Sequence, residues 1–335
     1  MRAFVESTCD HSSRDSVVYD WRAAGLRYYS YNFHLRQKYG YRVQRVSIDA
    51  GFTCPNVDGT ITTGGCNFCD NRSFSPSRRV RRENILDQID AGISRLKRRY
   101  NCDHFTAYFQ PATNTYAPVE RLRPVYEAAL SHPKVVGMAI GTRSDCVPDN
   151  VLDLLEEIGG RTYLTVEYGM QTMHDRTLDW MNRGHHHDSF LDAVQRSKNR
   201  GFEICAHVIF GFPGETHEDM LATIRELSRI GVDSVKLHNL YAVKRTPLAE
   251  LVESGEVELI ARDDYIRVLV DALEMLPAST IVERISGDAP PDYFVGPPWC
   301  LDKPAVRKAL DDELERRDSC QGKFASINPA CHEDD

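Results

Sequence analysis

Read for its period alone, the chain switches repeatedly between two rhythms. Short β-rich runs at 43–48, 105–110, 135–141, 162–168, 203–210 and 234–240 predict strands. Between them, apolar residues recur at helical spacing. Ile85, Ile89, Ile93 and Leu96 form one stripe within 83–99, and Met220, Leu221, Ile224, Leu227 and Ile230 another within 218–230. Further helices are predicted at 119–131, behind Pro118, and at 151–158, closed by Gly159 and Gly160; two more fall at 175–181 and 189–200. Six β/α repeats whose strands read as buried on both faces imply a parallel sheet. Right-handed crossovers would curl it into an α/β, partial (β/α)6 TIM-type barrel over 43–245.

The flanks break this rhythm. Residues 1–20 are polar and unpatterned, as expected of a disordered arm, and 21–42 read as a basic and aromatic helical segment with Tyr28, Tyr31, Leu35 and Tyr39 on one face. Beyond 245 a C-terminal extension is expected over 246–318, with helices at 263–276 and 303–317 around an irregular Pro/Gly-rich run, then a disordered tail over 319–335.

Composition narrows the class. Of 335 residues, 41% are hydrophobic and 27% charged, as in ordinary globular chains. No apolar run reaches the roughly 18 residues of a membrane span, and the first residues lack the apolar core of a signal peptide. Ten cysteines in such a context predict reduced thiols and a cytoplasmic protein. The net charge of −8 opposes a general nucleic-acid clamp, but it is unevenly spread. Residues 21–48 hold no Asp or Glu, and Arg78, Arg79, Arg81 and Arg82 form a second basic cluster. Arg36, Lys38, Arg78, Arg79, Arg81 and Arg82 are therefore candidate nucleic-acid contacts. The competing reading is a helix that packs its aromatics and solvates its charges.

Candidate chemistry follows the first predicted strand. Cys54, Cys66 and Cys69 are spaced C-x11-C-x2-C in a loop rich in Gly and Pro. A structural zinc site closes with four protein ligands, whereas a [4Fe–4S] cluster on three cysteines keeps one iron open. The other strand ends carry polar and glycine-rich loops: Asn114 after the second, Arg143, Asp145 and Cys146 after the third, Glu167 and Gln171 at the fourth, and Gly211 after the fifth. In parallel β/α sheets, sites gather on that rim. Cys146 is a candidate second functional thiol. Three adjacent histidines, His185–His187, cannot share one helical face, which favours solvated side chains over a metal site.

The segments VSIDAGFTCPNVDGTITTGGCNFC, AYFQPATNTYAPVE, AIGTRSDC, VEYGMQT, NRGH, GFPGET and ISGDAP resemble the radical SAM enzymes. The long first gap is similar to that of the group around the elongator catalytic subunit, and more narrowly to the YhcC/YtqA-like proteins. The resemblance implies a [4Fe–4S] cluster on Cys54, Cys66 and Cys69, with S-adenosylmethionine (SAM) on the open iron. Reduction by a flavodoxin- or ferredoxin-type donor then yields methionine and a 5′-deoxyadenosyl radical. It also implies that Phe68, Ile209 and Gly211 lie on the adenine side, that Gln171 and Arg183 contact SAM, with Arg183 on its carboxylate, and that Asn114 and Glu167 contact ribose or amino groups. No GGE motif follows the second strand, a departure from the family pattern. Three functions stay open: radical chemistry on a tRNA wobble uridine, the same chemistry on a small metabolite or protein, or a zinc-stapled binding protein without catalysis.

Overall fold

The computed structural model describes residues 19–80 and 83–325. It places α1 (Tyr31–Tyr39) before β1 (Val43–Ile48), then α2 (Asn71–Phe74) and α3 (Ile85–Tyr100). Next come β2 (His104–Phe109), α4 (Val119–Leu130), β3 (Val135–Thr142), α5 (Asp149–Gly159) and β4 (Tyr163–Gln171). They are followed by α6 (Asp175–Trp180), α7 (His187–Ser197), β5 (Glu203–Phe210), α8 (His217–Ile230) and β6 (Ser234–Asn239). The last part holds β7 (Ala242–Val243), α9 (Pro247–Glu253), α10 (Arg262–Met275), β8 (Ile281–Arg284), β9 (Phe294–Gly296) and α11 (Lys303–Arg316).

The sheet runs β1-β2-β3-β4-β5-β6-β8 with every pairing parallel, curled into a partial barrel with helices outside. It has seven strands where six were expected. The seventh, β8, comes from the segment read as an irregular extension, and β7 and β9 add a small antiparallel ribbon. Outward strand residues such as Val46, Ile140, Val166 and Val235 pack under the helices in one core. Helix α3 lies so close to β1 that a Cβ on Gly92 would meet Val46 Cγ1 at 2.4 Å. Caps fix the helix ends: Thr216 and Asp219 form a capping box on α8, and Gly231 (φ 74°) ends it.

The aromatic segment closes the base of the barrel. Tyr39 donates to Val136 O, Lys38 lies over the Tyr163 ring and Tyr41 stacks on His104, all at strand starts. Ser30 bridges to Val282 of β8. Two boundary expectations change. The arm at 1–20 lies outside the described residues apart from its last two. Residues 319–325, read as part of a disordered tail, are packed: Gln321 is fully buried, donates to Pro277 O and Thr280 O, and accepts from Tyr29 N.

The interior face of the sheet is charged. Arg45 of β1 contacts Glu167 of β4 at 2.9 Å and Glu283 of β8 at 2.8 Å; Lys236 of β6 contacts the same two at 2.5 and 3.5 Å. These side chains alternate with the apolar ones that face the helices.

Candidate active site

The cysteine loop is built around asparagines. Asn56 is fully buried, and its side-chain amide donates to Asn182 O (2.6 Å) and Arg183 O (2.8 Å) and points at Cys66 Sγ (3.7 Å). In return Asn182 donates to Gly65 O, while Asn67 donates to Trp180 O and, through its backbone, to Met181 O. The loop after β1 is thus tied to the segment after α6. The approach is tight: a Cβ on Gly184 (φ 72°) would meet Asn56 Oδ1 at 2.8 Å.

One cavity at the C-terminal strand ends is lined by Cys54, Cys66, Cys69, Phe68, Gln171 and Arg183 on this side. Tyr108, Glu167, His207, His238 and Arg284 line it deeper in the barrel. Arg183 donates to Gly169 O at 2.7 Å and reaches Cys66 Sγ at 3.6 Å; its Nε is buried without a hydrogen-bond partner. A Cβ on Gly169 would sit 2.7 Å from both the Arg183 guanidinium and the Gln171 amide, so that glycine is what lets the two converge. Gln171 itself has φ 69°, a left-handed backbone that a glutamine adopts only when held there. Phe68 packs edge-on against Phe212, beside Ile209.

No three His, Cys, Asp or Glu side chains among the described residues converge where a single metal ion could bind them. A mononuclear zinc site needs that convergence. A cluster that gives each cysteine its own iron needs only that they face one cavity, which they do. Burial and the neighbouring Cys66 and Cys54 push the Cys69 thiol well up, so three thiolates at this spot call for a cationic group among them. The donor set and the orphaned Arg183 Nε fit a [4Fe–4S] cluster with an anionic ligand beside it.

Not every candidate residue belongs to the cavity. Asn114 is fully buried and its amide ties Phe109 O to Gly141 O, which braces β2 against β3. Gly211 (φ 92°) packs on Ile260, where a Cβ would come within 2.8 Å. Cys146 lines a separate cavity with Thr115 and Arg196, and burial and Asp145 push its thiol up. Glu167 lines the floor, but its carboxylate is already taken by Arg45, Lys236, Tyr108 and His207. Burial alone would raise that group; Lys236, Arg45 and the His207 hydrogen bond hold it well below the usual range. Oε2 accepts from Tyr108 and sits 3.0 Å from His207 Nε2, and Oε1 lies against the Arg45 and Lys236 cations, so the carboxylate serves the interior ion network.

The basic candidates divide. Arg36 and Lys38 are on α1, at the base, away from the cysteines. Arg78 is paired with Asp49 and donates to Phe52 O, bracing the loop that leads to Cys54. Arg79 is exposed at the rim, over the ring of Tyr293, which Arg245 also covers. Arg81 and Arg82 lie outside the described residues. The sequence reading missed Asn56, Asn67, Asn182, Tyr108, His207, Lys236, His238 and Arg284. Polar residues alternating with apolar ones inside the strands were the available signal for the last five.

Comparisons with known proteins bear on the family and the fold. The Radical SAM superfamily model matches residues 58–227 and the Radical_SAM C-terminal domain model matches 232–316. YtqA of Bacillus subtilis strain 168 is 40% identical over 298 residues, covering 89% of this chain and 92% of that one. A tRNA uridine(34) acetyltransferase of Methanocaldococcus jannaschii is 26% identical over 165 residues, 48% of this chain but 30% of its own. Among solved structures, Elp3 of Methanocaldococcus infernus with an N-terminal deletion has the same fold, with a TM-score of 0.63 at 17% identity over 87% of this chain and 68% of that chain.

Proposed function

Because this chain belongs to the radical SAM superfamily, in its YtqA-like group, we propose that it applies radical SAM chemistry to a tRNA, at a wobble uridine. It is an enzyme of the [4Fe–4S] and SAM class. When bound, the reduced cluster supplies the electron that splits SAM into methionine and a 5′-deoxyadenosyl radical able to abstract hydrogen from a substrate.

The chain's own residues would divide the work as follows. Cys54, Cys66 and Cys69 hold the cluster, and the asparagine-pinned loop fixes their positions. Arg183, with Gln171, holds the SAM carboxylate through its guanidinium fork. Phe68 and Ile209 supply an apolar face for adenine. The walls around the cavity keep bulk water from the reacting atoms. A flavodoxin- or ferredoxin-type donor in the cytoplasm supplies the electron.

The observation that carries the tRNA reading is the match, over about half of this chain, to enzymes named for tRNA uridine 34. The exposed Arg79 and Arg245 beside the cysteine loop support it, since a phosphate backbone could rest there, with Arg245 also paired to Asp70 at 3.3 Å. A small metabolite or protein substrate is the second reading. It is favoured by the placement of Arg36 and Lys38 at the base and by the Asp49 partner of Arg78.

Anaerobic reconstitution should give a brown protein that releases methionine and 5′-deoxyadenosine with SAM and dithionite; Cys54→Ala should lose both the colour and the cleavage. Mass spectrometry of tRNA nucleosides from a deletion strain decides the substrate: an altered profile is expected, and an unchanged one turns the assignment to the second reading.

A further inference from the structure

The β6–β8 ladder is bulged. Val235 faces Val282, but Lys236 faces Arg284, so Glu283 is the extra residue. A bulge re-aims side chains, and here two successive ones turn inward: Glu283 to Arg45 and Lys236, Arg284 to the cavity. Glu283 is paired with both cations. Arg284 lines the cavity but is solvent-exposed there, and it has no hydrogen bond or ion pair among the described residues. Beside it, His238 is pressed into place by Gly287, where a Cβ would come within 3.2 Å of Nδ1. The other ring nitrogen, Nε2, is buried with no partner. Burial, with Arg284 and His207 nearby, holds the His238 ring neutral.

The cavity floor therefore carries a charge surplus. At this end of the cavity Arg45 and Lys236 are matched by Glu167 and Glu283, so Arg284 is the cation left there without a counter-charge; Arg183 lies on the cysteine side. We propose that Arg284 and His238 form a subsite that binds a singly charged carboxylate on the substrate. A carboxylate matches the guanidinium fork and balances the single surplus charge; a phosphate dianion would overshoot it next to two buried carboxylates. The subsite rests on the reading that this cavity receives the substrate of the radical chemistry, and it holds for a nucleoside or a metabolite alike.

Phenylglyoxal labelling of the reconstituted protein, without and with SAM, read at Arg284 by peptide mass spectrometry, tests this directly. Saturating acetate is expected to slow labelling about tenfold and acetamide to leave it unchanged. Protection by SAM alone would assign Arg284 to the cofactor's own carboxylate and overturn the proposal. Stronger protection by inorganic phosphate, or none by either anion, would overturn it too. The second arm uses the species that accumulates in a deletion strain. It is expected to gain mass on esterification in acidic methanol. Arg284→Gln should accumulate the same species with the Fe–S absorbance intact, and Arg284→Lys less of it. A wild-type profile in Arg284→Gln, or an accumulating species without a carboxyl, ends the proposal whether or not that species is a tRNA nucleoside. A carboxyl-bearing free metabolite upholds it and ends the tRNA reading instead.

Discussion

Glu203 and His34 meet beneath the barrel, 3.9 Å apart, and neither keeps its ordinary titration. Burial pushes the Glu203 carboxyl up to about 7 against the Tyr163 hydroxyl that donates to it, and burial pulls His34 down to about 4. The two act on stability in opposite senses. A raised carboxyl stabilises the fold fully below its unfolded value near 4.5 and loses that contribution as pH rises through 7; a depressed His contributes above 6.5 and loses it as pH falls through 4. Glu203→Gln isolates the first effect. The variant should gain up to about 3 kcal/mol over the parent at pH 8 and nearly nothing at pH 4. Thermal melts at the two pH values check this, and an equal gap at both would refute it. The same contrast limited what single residues revealed. Cys54, Cys66, Cys69, Phe68, Gln171, Arg183 and Ile209 were legible from motif and place, and all line the cavity. Asn114 and Gly211 sit at equally suggestive positions, yet one serves backbone carbonyls and the other a close contact with Ile260 in the loop before α10. Residue type at a strand end does not say which way a side chain turns.

Elements with a full period were readable; those without one were not. The bounds of β1 and β5 fall where the hydrophobic pattern puts them, and α3, α8 and α10 follow their apolar stripes. Strand β8 has four residues, too few to display a period, and its neighbours are Pro- and Gly-rich, so only pairing with β6 identifies it. The last described residues are a second case. Nothing in their polar composition marks them as structural, but Gln321 joins the strand-like approach to α1 with the turn after α10, and Arg22 and Arg27 donate to Gln321 O and Ser319 O. Truncation after residue 318 should therefore cost about 2–4 kcal/mol, from several buried hydrogen bonds lost together. Chemical denaturation measures it; an unchanged midpoint would mean that these contacts contribute nothing net.

Viewed whole, the molecule has two ends with different tasks. The base is shut by aromatics and by Arg and Lys side chains that are mostly engaged with rings and carbonyls; the rim carries the cysteines and the exposed Arg79 and Arg245. If tRNA is bound, Arg79→Ala and Arg245→Ala should each lower the slope of log K against log salt by about 0.7, as for single-stranded contacts, while Arg36→Ala and Lys38→Ala should leave it unchanged. Gel-shift titration with bulk tRNA reads this out: loss confined to the base variants would reverse the polarity argued here, and no binding at all would remove tRNA.

The clasp between β1 and β8 adds a practical consequence. The two edge strands of the sheet do not pair with each other, and Arg45 spans them by holding Glu283, whose side chain is 1% exposed. A pair this deep is screened far less than exposed charges. Raising ionic strength thus strips the outer surface of its attractions without loosening the inner ring. A salt titration of turnover, run with an anion that does not protect Arg284, becomes an assay of encounter, separable from the integrity of the inner ring.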